Sequence, residues 1–203
     1  MLAQQGIEKI TPTAIAESLK NNPASVVDML RKLSDKKLLE YDKNKGVRLT
    51  DKGGNAAFQV VRRHRLWEVF LKDKLGYAWD EVHDIAEQLE HVQQTELADR
   101  LDKYLDFPTY DPHGDPIPQA NGKMAKTYKT SLSQTAIGKI YKVVAVRDTS
   151  TTFLKYLQRL SITIGAKIKI VEKIPFDDSI VILVNNQNKT TVSKKFAESV
   201  LVE

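Results

Sequence analysis

The sequence predicts a mainly helical chain with a small amount of β structure. Two short helical patterns, followed by two short strands around a basic turn, predict an N-terminal winged helix-turn-helix. Further helical patterns fill the middle of the chain, and short strands separated by polar turns predict a small C-terminal β-barrel. We place these domains at residues 1–53, 54–118 and 132–203, with a polar linker at 119–131.

The first two helices are predicted by their capping residues. Thr11 can cap a short helix that begins at Pro12, because Thr is a favoured N-cap and Pro is tolerated at the first helical position. Asn22 and Pro23 repeat this pattern at the start of a second helix, which we expect to run to about Lys37. The helix-turn-helix is therefore expected within residues 11–37.

A wing is predicted directly after these helices. Residues 38–41 and 47–50 form two short apolar runs around the polar turn at 42–46, and Asp-Lys-Gly at 51–53 is expected to end the wing. In a winged helix the second helix enters the major groove, and nearby cations contact phosphates. The candidate DNA-binding residues are Ala24, Ser25, Asp28, Arg31, Lys32, Lys36, Lys43, Lys45 and Arg48.

The rest of the chain changes from helical to β patterning. Apolar residues at helical spacing predict helices at residues 55–75, 80–92 and 95–105. Four prolines between residues 108 and 118 then exclude helix. Beyond the linker, alternation predicts strands at 139–146, 167–173, 179–184 and 190–192, with a brief helix at 152–160.

Composition limits the classes of protein that the chain can belong to. The absence of cysteine excludes disulfides, thiolate zinc sites and iron–sulfur clusters. No apolar run could span a bilayer and no signal peptide is recognisable, so we expect a cytoplasmic protein without a membrane partner. Residues 1–63 carry a net charge of +5 and residues 118–203 a net +8, whereas residues 64–117 carry −8. Basic segments suit a polyanion, and the acidic middle suits cations.

Three of the four histidines lie within residues 64–91, each near a glutamate. His64 and Glu68 are four residues apart, as are His83 and Glu87, and such pairs share one helix face. Imidazole and carboxylate groups are what a divalent transition metal ion binds in a protein without thiolates. A solvated acidic face with incidental histidines is the alternative explanation. We interpret the fourth histidine, His113, as a structural or surface residue.

One helix of this cluster can be examined more closely. On a helical wheel, His83, Glu87, Glu90 and His91 fall within an arc of about 100°. The apolar residues of the same segment lie on the opposite side. The sequence therefore predicts that these four side chains face one point.

Three segments resemble the diphtheria toxin repressor family of metal-dependent regulators. They are Arg-Arg-His-Arg-Leu-Trp-Glu at 62–68, Glu-Val-His-Asp-Ile-Ala-Glu-Gln-Leu-Glu-His at 81–91, and Asp-Pro-His-Gly-Asp-Pro-Ile-Pro at 111–118. The resemblance covers nearly the whole chain and implies that the C-terminal barrel is SH3-like. It also implies a repressor of metal-ion homeostasis genes that binds a palindromic operator as a homodimer. We expect Leu66, Trp67, Phe70 and Trp79 to offer apolar surface for that dimer.

The resemblance further implies which residues bind metal. The main site of the family uses the positions of Glu87, Glu90 and His91 with ligands from a first helix, and the second site uses those of His64, Glu68 and His83. Asp148 is a further candidate ligand from the SH3-like domain. The position of Glu87 is a cysteine in the iron-responsive branch and a carboxylate in the manganese-responsive branch. We therefore expect Mn²⁺, with Fe²⁺ as the alternative.

The sequence departs from the family at its start. Family members begin with a long helix that carries one or two metal ligands, whereas here no acidic residue precedes Glu8. A shortened sequence, a misassigned start and a natural variant with a weakened main site all remain open. Two other functions also remain open: a winged-helix regulator that responds to another signal through a vestigial metal site, and a metallohydrolase. We expect no enzymatic activity and no small organic substrate.

Overall fold

The protein is described by a computed structural model, which covers residues 10–42, 46–92 and 94–203. The chain divides into two compact units at the boundary between Val60 and Val61. Lys43 and Lys45, both expected to contact DNA, lie outside the described residues. Across the described part of the chain, no helix combines the length and the apolar character needed to cross a bilayer.

The first unit has the predicted order of helix, helix and two strands. Helices α1 (Pro12–Leu19) and α2 (Pro23–Asp35) are followed by antiparallel strands β1 (Leu39–Asp42) and β2 (Gly46–Leu49). The predicted caps are confirmed, because the Thr11 side chain accepts a hydrogen bond from the Ala14 amide and the Asn22 side chain accepts one from the Ala24 amide. Helix α2 ends two residues before the predicted Lys37. The small core consists of Ala16, Val26, Leu30 and Leu39.

Helix α3 (Asp51–Leu75) begins earlier than the sequence predicts. The Thr50 hydroxyl accepts a hydrogen bond from the Gly53 amide at 3.0 Å, so Asp-Lys-Gly at 51–53 starts a helix rather than ending the wing. A Cβ atom on Gly53 would lie only 1.7 Å from the Leu38 carbonyl oxygen. Glycine at this position therefore allows the helix to approach the backbone of the preceding segment.

Two further helices follow α3. Helix α4 (Val82–Leu89) is shorter than predicted at both ends, because Glu90 is its C-cap and His91 lies in a turn beyond it. Helix α5 (Thr95–Tyr104) agrees with the predicted segment. Two small cores hold these helices against α3, one around Leu66 and Leu101 and the other around Leu71, Val82 and Ala86.

The C-terminal part is a five-stranded antiparallel sheet with the strand order β6-β5-β4-β3-β7. Its elements are β3 (Ile140–Val146), α6 (Thr151–Arg159), β4 (Lys167–Lys173), β5 (Ile180–Val184), β6 (Asn188–Val192), α7 (Lys194–Ser199) and β7 (Val200–Val202). A 3₁₀ turn at Leu132–Gln134 precedes them. Helix α7 and strand β7 were not predicted from the sequence. The largest hydrophobic core among the described residues lies against this sheet, with Ile168, Ile170 and Ile182 fully buried.

The expected dimer surface needs correction. Leu66 is fully buried under α5, and Trp79 is 6% exposed within the core of the C-terminal sheet. Trp67 and Phe70 are only half-buried and pack edge to face. Leu66 and Trp79 are therefore core residues and offer no surface to a second chain.

Candidate metal centre

Helices α3 and α4 bring three of the predicted ligands to one point. His64 and Glu68 lie one turn apart on α3, and His83 faces them from the first turn of α4. The His64 Nε2 atom lies 3.1 Å from Glu68 Oε1 and 3.2 Å from His83 Nδ1, and His83 Nδ1 lies 3.3 Å from Glu68 Oε1. Glu68 is 2% exposed. The three atoms form a nearly equilateral triangle at a buried carboxylate.

The size of this triangle fits a metal ion. Ligand atoms about 2.1 Å from an ion lie about 3.0 Å apart at neighbouring corners of an octahedron and about 3.4 Å apart in a tetrahedron. The observed separations of 3.1, 3.2 and 3.3 Å fall between these values. A cation would also neutralise the Glu68 carboxylate, since an unpaired buried charge is costly. The donor set of these residues therefore fits a divalent metal ion.

Glu90 contacts the same centre from its outer side. Its carboxylate lies 2.7 Å from His64 Nδ1, and its backbone carbonyl accepts a hydrogen bond from Arg63 Nε at 2.8 Å. When one ring nitrogen of a histidine donates a hydrogen bond to a carboxylate, the proton stays on that nitrogen. The other ring nitrogen is then free to bind a metal ion. In this arrangement Glu90 orients His64 so that Nε2 points towards Glu68 and His83.

A second group of possible ligands shares Glu68. The side chains of Glu68, Asp111 and His113 place ligand atoms within 4.8 Å of one another, and all three are buried. His113 Nδ1 lies 3.6 Å from Glu68 Oε1. Asp111 and His113 belong to the proline-rich loop at residues 111–118, which approaches strand β3 closely at Gly114. Gly114 has a φ of +88°, and a Cβ there would lie 2.1 Å from the Val144 carbonyl oxygen. Two candidate sites are therefore joined by one carboxylate.

The orientation of His113 makes its Nδ1 the free ring nitrogen. Its Nε2 lies 2.8 Å from the Trp79 carbonyl oxygen, which can only accept a hydrogen bond, so Nε2 must carry the proton. Nδ1 then either holds a second proton opposite Glu68 or offers its lone pair to a metal ion. The sequence-based interpretation of His113 as structural or surface was incomplete, since this ring is buried and faces Glu68.

Asp111 is held rigidly beside this second group. One of its oxygens accepts hydrogen bonds from the backbone amides of His113 and Asp115, and the other lies 3.4 Å from Arg65 Nε. Burial, together with the nearby charges of Glu68 and Asp115, raises the pKa of Asp111 to about 7. A cation between Asp111 and Glu68 would relieve this repulsion and favour the ionised carboxylate.

The cluster also shifts the pKa values of Glu68 and of two histidines. Burial alone would raise the pKa of Glu68, but the contacts with His113, His64 and His83 outweigh burial and hold this pKa well below its ordinary value. Burial alone would lower the pKa values of His64 and His113, but Glu68 outweighs it, and both are raised. Glu68 is therefore ionised, and it attracts either protons on the histidines or a metal ion.

The remaining predicted ligands lie apart from these two groups. Glu87 and His91 are exposed, and among the described residues nothing forms a hydrogen bond or ion pair with either side chain. Asp148 accepts a hydrogen bond from the Ser150 amide at 2.9 Å. It nevertheless follows closely after Val146, whose amide donates to the His113 carbonyl oxygen at 2.9 Å. Glu87, His91 and Asp148 remain candidate ligands from the family resemblance.

The predicted DNA-binding residues that the structure describes lie on the surface of the first unit. Ala24, Ser25, Asp28, Arg31 and Lys32 are exposed along α2, Lys36 is the exposed C-cap of that helix, and Arg48 is exposed on β2. Asp28 and Lys32 form an ion pair with a distance of 3.2 Å. Arg48 lies opposite Glu40 in the β1–β2 pair.

Comparison with known proteins identifies the family of the chain. Three family models match consecutive parts of the chain: the N-terminal DNA binding domain of iron dependent repressors at residues 2–47, their metal binding and dimerisation domain at 50–119, and a FeoA domain at 130–203. The iron-dependent repressor IdeR of Mycobacterium leprae is 31% identical over 211 residues, which cover 97% of this chain and 90% of that protein. The chain belongs to the iron-dependent repressor family. Members of this family, which includes the diphtheria toxin repressors, are metal-dependent DNA-binding transcriptional repressors.

Solved structures of repressors agree with this assignment along the whole chain. A manganese-dependent transcriptional repressor in complex with manganese is 34% identical, with a TM-score of 0.84 over 96% of this chain and 90% of that chain. ScaR with bound Zn²⁺ is 33% identical, with a TM-score of 0.82 over 100% of this chain and 95% of that chain. The predicted fold class, with an N-terminal winged helix, a helical metal-binding segment and a C-terminal SH3-like domain, is confirmed.

Proposed function

We propose that this repressor is switched by Mn²⁺, with Fe²⁺ as the alternative, and that it controls metal-ion homeostasis genes from the cytoplasm. The single observation that supports metal control best is the triangle of His64, Glu68 and His83 around a buried carboxylate. A site of two imidazoles and one carboxylate, without sulfur, suits ions of intermediate hardness. Manganese is favoured because carboxylate oxygens are harder ligands than thiolates, and the chain supplies carboxylates and no cysteine.

We further propose that two metal ions share Glu68. The first would be held by His64, Glu68 and His83, and the second by Glu68, Asp111 and His113. The short distances from Glu68 Oε1 to imidazole nitrogens of both groups support this arrangement. Divalent cations at these two groups would offset the negative charges of Glu68 and Asp111, both of which are buried.

The family resemblance implies further metal ligands, and the structure supports them to different degrees. Glu90 contacts His64 and would act first as its orienting partner. Glu87 and His91 would form the main site of the family together with Glu90 once their exposed side chains turn towards a common ion. Asp148, which lies just beyond the end of β3, would donate a further ligand oxygen from the SH3-like domain. Each of these roles is testable by substitution.

The proposed partner is double-stranded DNA with a palindromic operator, bound by a homodimer. The exposed residues on α2, with Lys36 and Arg48, would supply the base and phosphate contacts. Few of these side chains are strong bidentate readers of bases, so phosphate contacts would supply much of the affinity and make it sensitive to salt. A palindrome mirrors the two-fold symmetry of a dimer.

Metal control then follows from thermodynamic linkage. If metal ions bind more tightly to the dimer arrangement that fits the operator, DNA must strengthen metal binding by the same factor. Coupling free energies of about 1–3 kcal/mol correspond to a change of about 5–150-fold in affinity. A response of this size would be sufficient to release the operator when the concentration of metal falls.

The function is tested by titrating Mn²⁺ into the protein with fluorescent operator DNA, which is first selected from a random duplex pool. We expect Mn²⁺ to raise the affinity for DNA, and His64→Ala and His91→Ala to abolish the rise. Asp84→Asn, which removes a charge from an exposed position on the same helix as His83, should leave it intact. Equal affinities with and without Mn²⁺ would favour a regulator with a vestigial metal site.

A further inference from the structure

The outer face of the C-terminal sheet carries a group of lysines that the metal centre does not use. Lys142 on β3, Lys167 and Lys169 on β4 and Lys189 on β6 form this group, which we call the lysine face. On the same strands, Val143, Ile168 and Val192 are buried in the core. Because side chains alternate along a strand, the lysines must point to the opposite side of the sheet. All four lysines therefore project from one side of one sheet.

The register of the strands places these lysines beside one another. Lys142 is directly opposite Lys167, and Lys169 and Lys189 lie on either side of Leu183 in the next row. With strands about 4.8 Å apart, the group spans about 14 Å across the sheet. Like charges directly opposite each other destabilise a sheet. The repulsion between Lys142 and Lys167 therefore lowers the stability of the free protein, and a bound anion would relieve it.

The lysine face lacks the carboxylates that balance lysines elsewhere in this domain. Lys194 pairs with Asp178 at 2.9 Å and Lys155 with Asp80 at 3.8 Å. Among the described residues, no carboxylate lies within ion-pair distance of Lys167, Lys169 or Lys189, and Lys142 has only an exposed contact of 3.7 Å with Glu203. Glu172, further along β4, forms no ion pair with the group. The face is a concentrated, largely uncompensated positive surface.

We propose that the lysine face binds the phosphate backbone of double-stranded DNA, as a second contact independent of the helix-turn-helix. Each strand of duplex DNA carries one negative charge per about 3.4 Å of its axis, so a span of about 14 Å covers about four phosphates of one strand. A sheet face with flexible ammonium groups suits a contact without base recognition. This inference rests on the proposed function, because the helix-turn-helix and the lysine face belong to one chain, and binding of a duplex by one raises its effective concentration for the other.

The test compares three triple variants of the full-length protein in excess Mn²⁺ on a 60-base-pair duplex of random sequence. The first is Lys167→Gln with Lys169→Gln and Lys189→Gln. The matched control removes the same charge from helices of the same domain, by Lys155→Gln with Lys194→Gln and Lys195→Gln. The third changes Lys167, Lys169 and Lys189 to arginine, which keeps the charge. Circular dichroism and thermal melting check that each variant is folded.

The readout is the slope of log affinity against log salt concentration. Each phosphate contact contributes about 0.9 to the magnitude of this slope, so we expect the first variant to lose up to about 2.7. The control and the arginine variant should keep the wild-type slope. A wild-type slope in the first variant would overturn the inference. The same holds if this variant keeps the wild-type slope on DNA but binds anionic lipid vesicles less tightly than the wild type. If the wild-type protein binds neither this duplex nor the selected operator in Mn²⁺, the proposed function fails as well. If the wild-type protein binds and the first variant keeps its slope, only the present inference fails.

Discussion

Replacing Glu68 by glutamine removes the charge that both candidate sites share. Glu68 Oε1 lies 3.1 Å from His64 Nε2, 3.3 Å from His83 Nδ1 and 3.6 Å from His113 Nδ1. The amide of glutamine has a similar shape but no negative charge, so the change removes a ligand without leaving a large cavity. Loss even of a residue that only orients a ligand typically weakens metal binding by about 10–100-fold. We therefore expect Glu68→Gln to weaken Mn²⁺ binding by at least about 100-fold.

The size of this effect can be converted into a thermal shift. At a Mn²⁺ concentration 100 times the dissociation constant, binding stabilises the wild-type protein by about 2.7 kcal/mol. For a chain of this length, this corresponds to an increase in Tm of about 5–11 °C. With an affinity about 100-fold weaker, Glu68→Gln gains only about 0.4 kcal/mol, or about 1 °C.

The assay is differential scanning calorimetry with and without Mn²⁺, with Asp84→Asn as the control. Asp84 is exposed on α4, so its replacement removes an equal charge outside the cluster and should preserve the wild-type shift. A Mn²⁺-induced shift in Glu68→Gln as large as that of the wild type would refute the assignment of Glu68 as the shared ligand.

Three further predictions concern proton competition and backbone geometry. Burial lowers the pKa of His64, but Glu68 and Glu90 raise it above its ordinary value, so Mn²⁺ must displace a proton; calorimetry should therefore find Mn²⁺ affinity rising between about pH 6 and pH 8, with proton release, and a flat profile would contradict this. Gly53→Ala should lower the free energy of unfolding in denaturant by about 1–3 kcal/mol, because the new Cβ meets the Leu38 carbonyl, whereas Gly54→Ala, with open space around it, should raise it by about 0.5–1 kcal/mol. Gly114→Ala should reduce the Mn²⁺ bound per chain in equilibrium dialysis, because its positive φ and the Val144 carbonyl leave no room for a Cβ beside Asp111 and His113; unchanged binding would remove this loop from the centre.

The sequence predicts the first unit well because its signals are local. Thr11 with Pro12 and Asn22 with Pro23 cap their helices through residues two or three positions away. The start of α3 was missed for the opposite reason. Asp-Lys-Gly-Gly at 51–54 resembles a turn, and only the tertiary approach to Leu38 explains why glycine occupies the first turn of a helix there.

The metal centre was predicted in part. Spacing of four residues placed His64 and Glu68 on one face of α3, and the structure brings the predicted ligands His83 and Glu90 into contact with His64. The helical wheel also grouped Glu87 and His91 with them, but α4 ends at Leu89, so His91 does not follow the helix, and Glu87 points to solvent. A wheel assumes a continuous helix, and the sequence contains no proline or glycine that would mark this end.

Asp111 and His113 show what a one-dimensional pattern cannot reveal. Both lie in a proline-rich loop without periodicity, more than 40 residues from Glu68 in the sequence. Their approach to Glu68 depends on the return of this loop to α3 and on the contact of Gly114 with β3. The available signal was chemical: a histidine and an aspartate within a segment of tight turns, in a chain with few histidines.

We propose that metal occupancy and DNA binding stabilise the same arrangement of the protein. The most direct test measures the Mn²⁺ affinity by calorimetry with and without saturating operator DNA, and compares the ratio with the effect of Mn²⁺ on DNA affinity. We predict that both ratios are equal and lie within about 5–150-fold. A Mn²⁺ affinity that DNA leaves unchanged would contradict the claim.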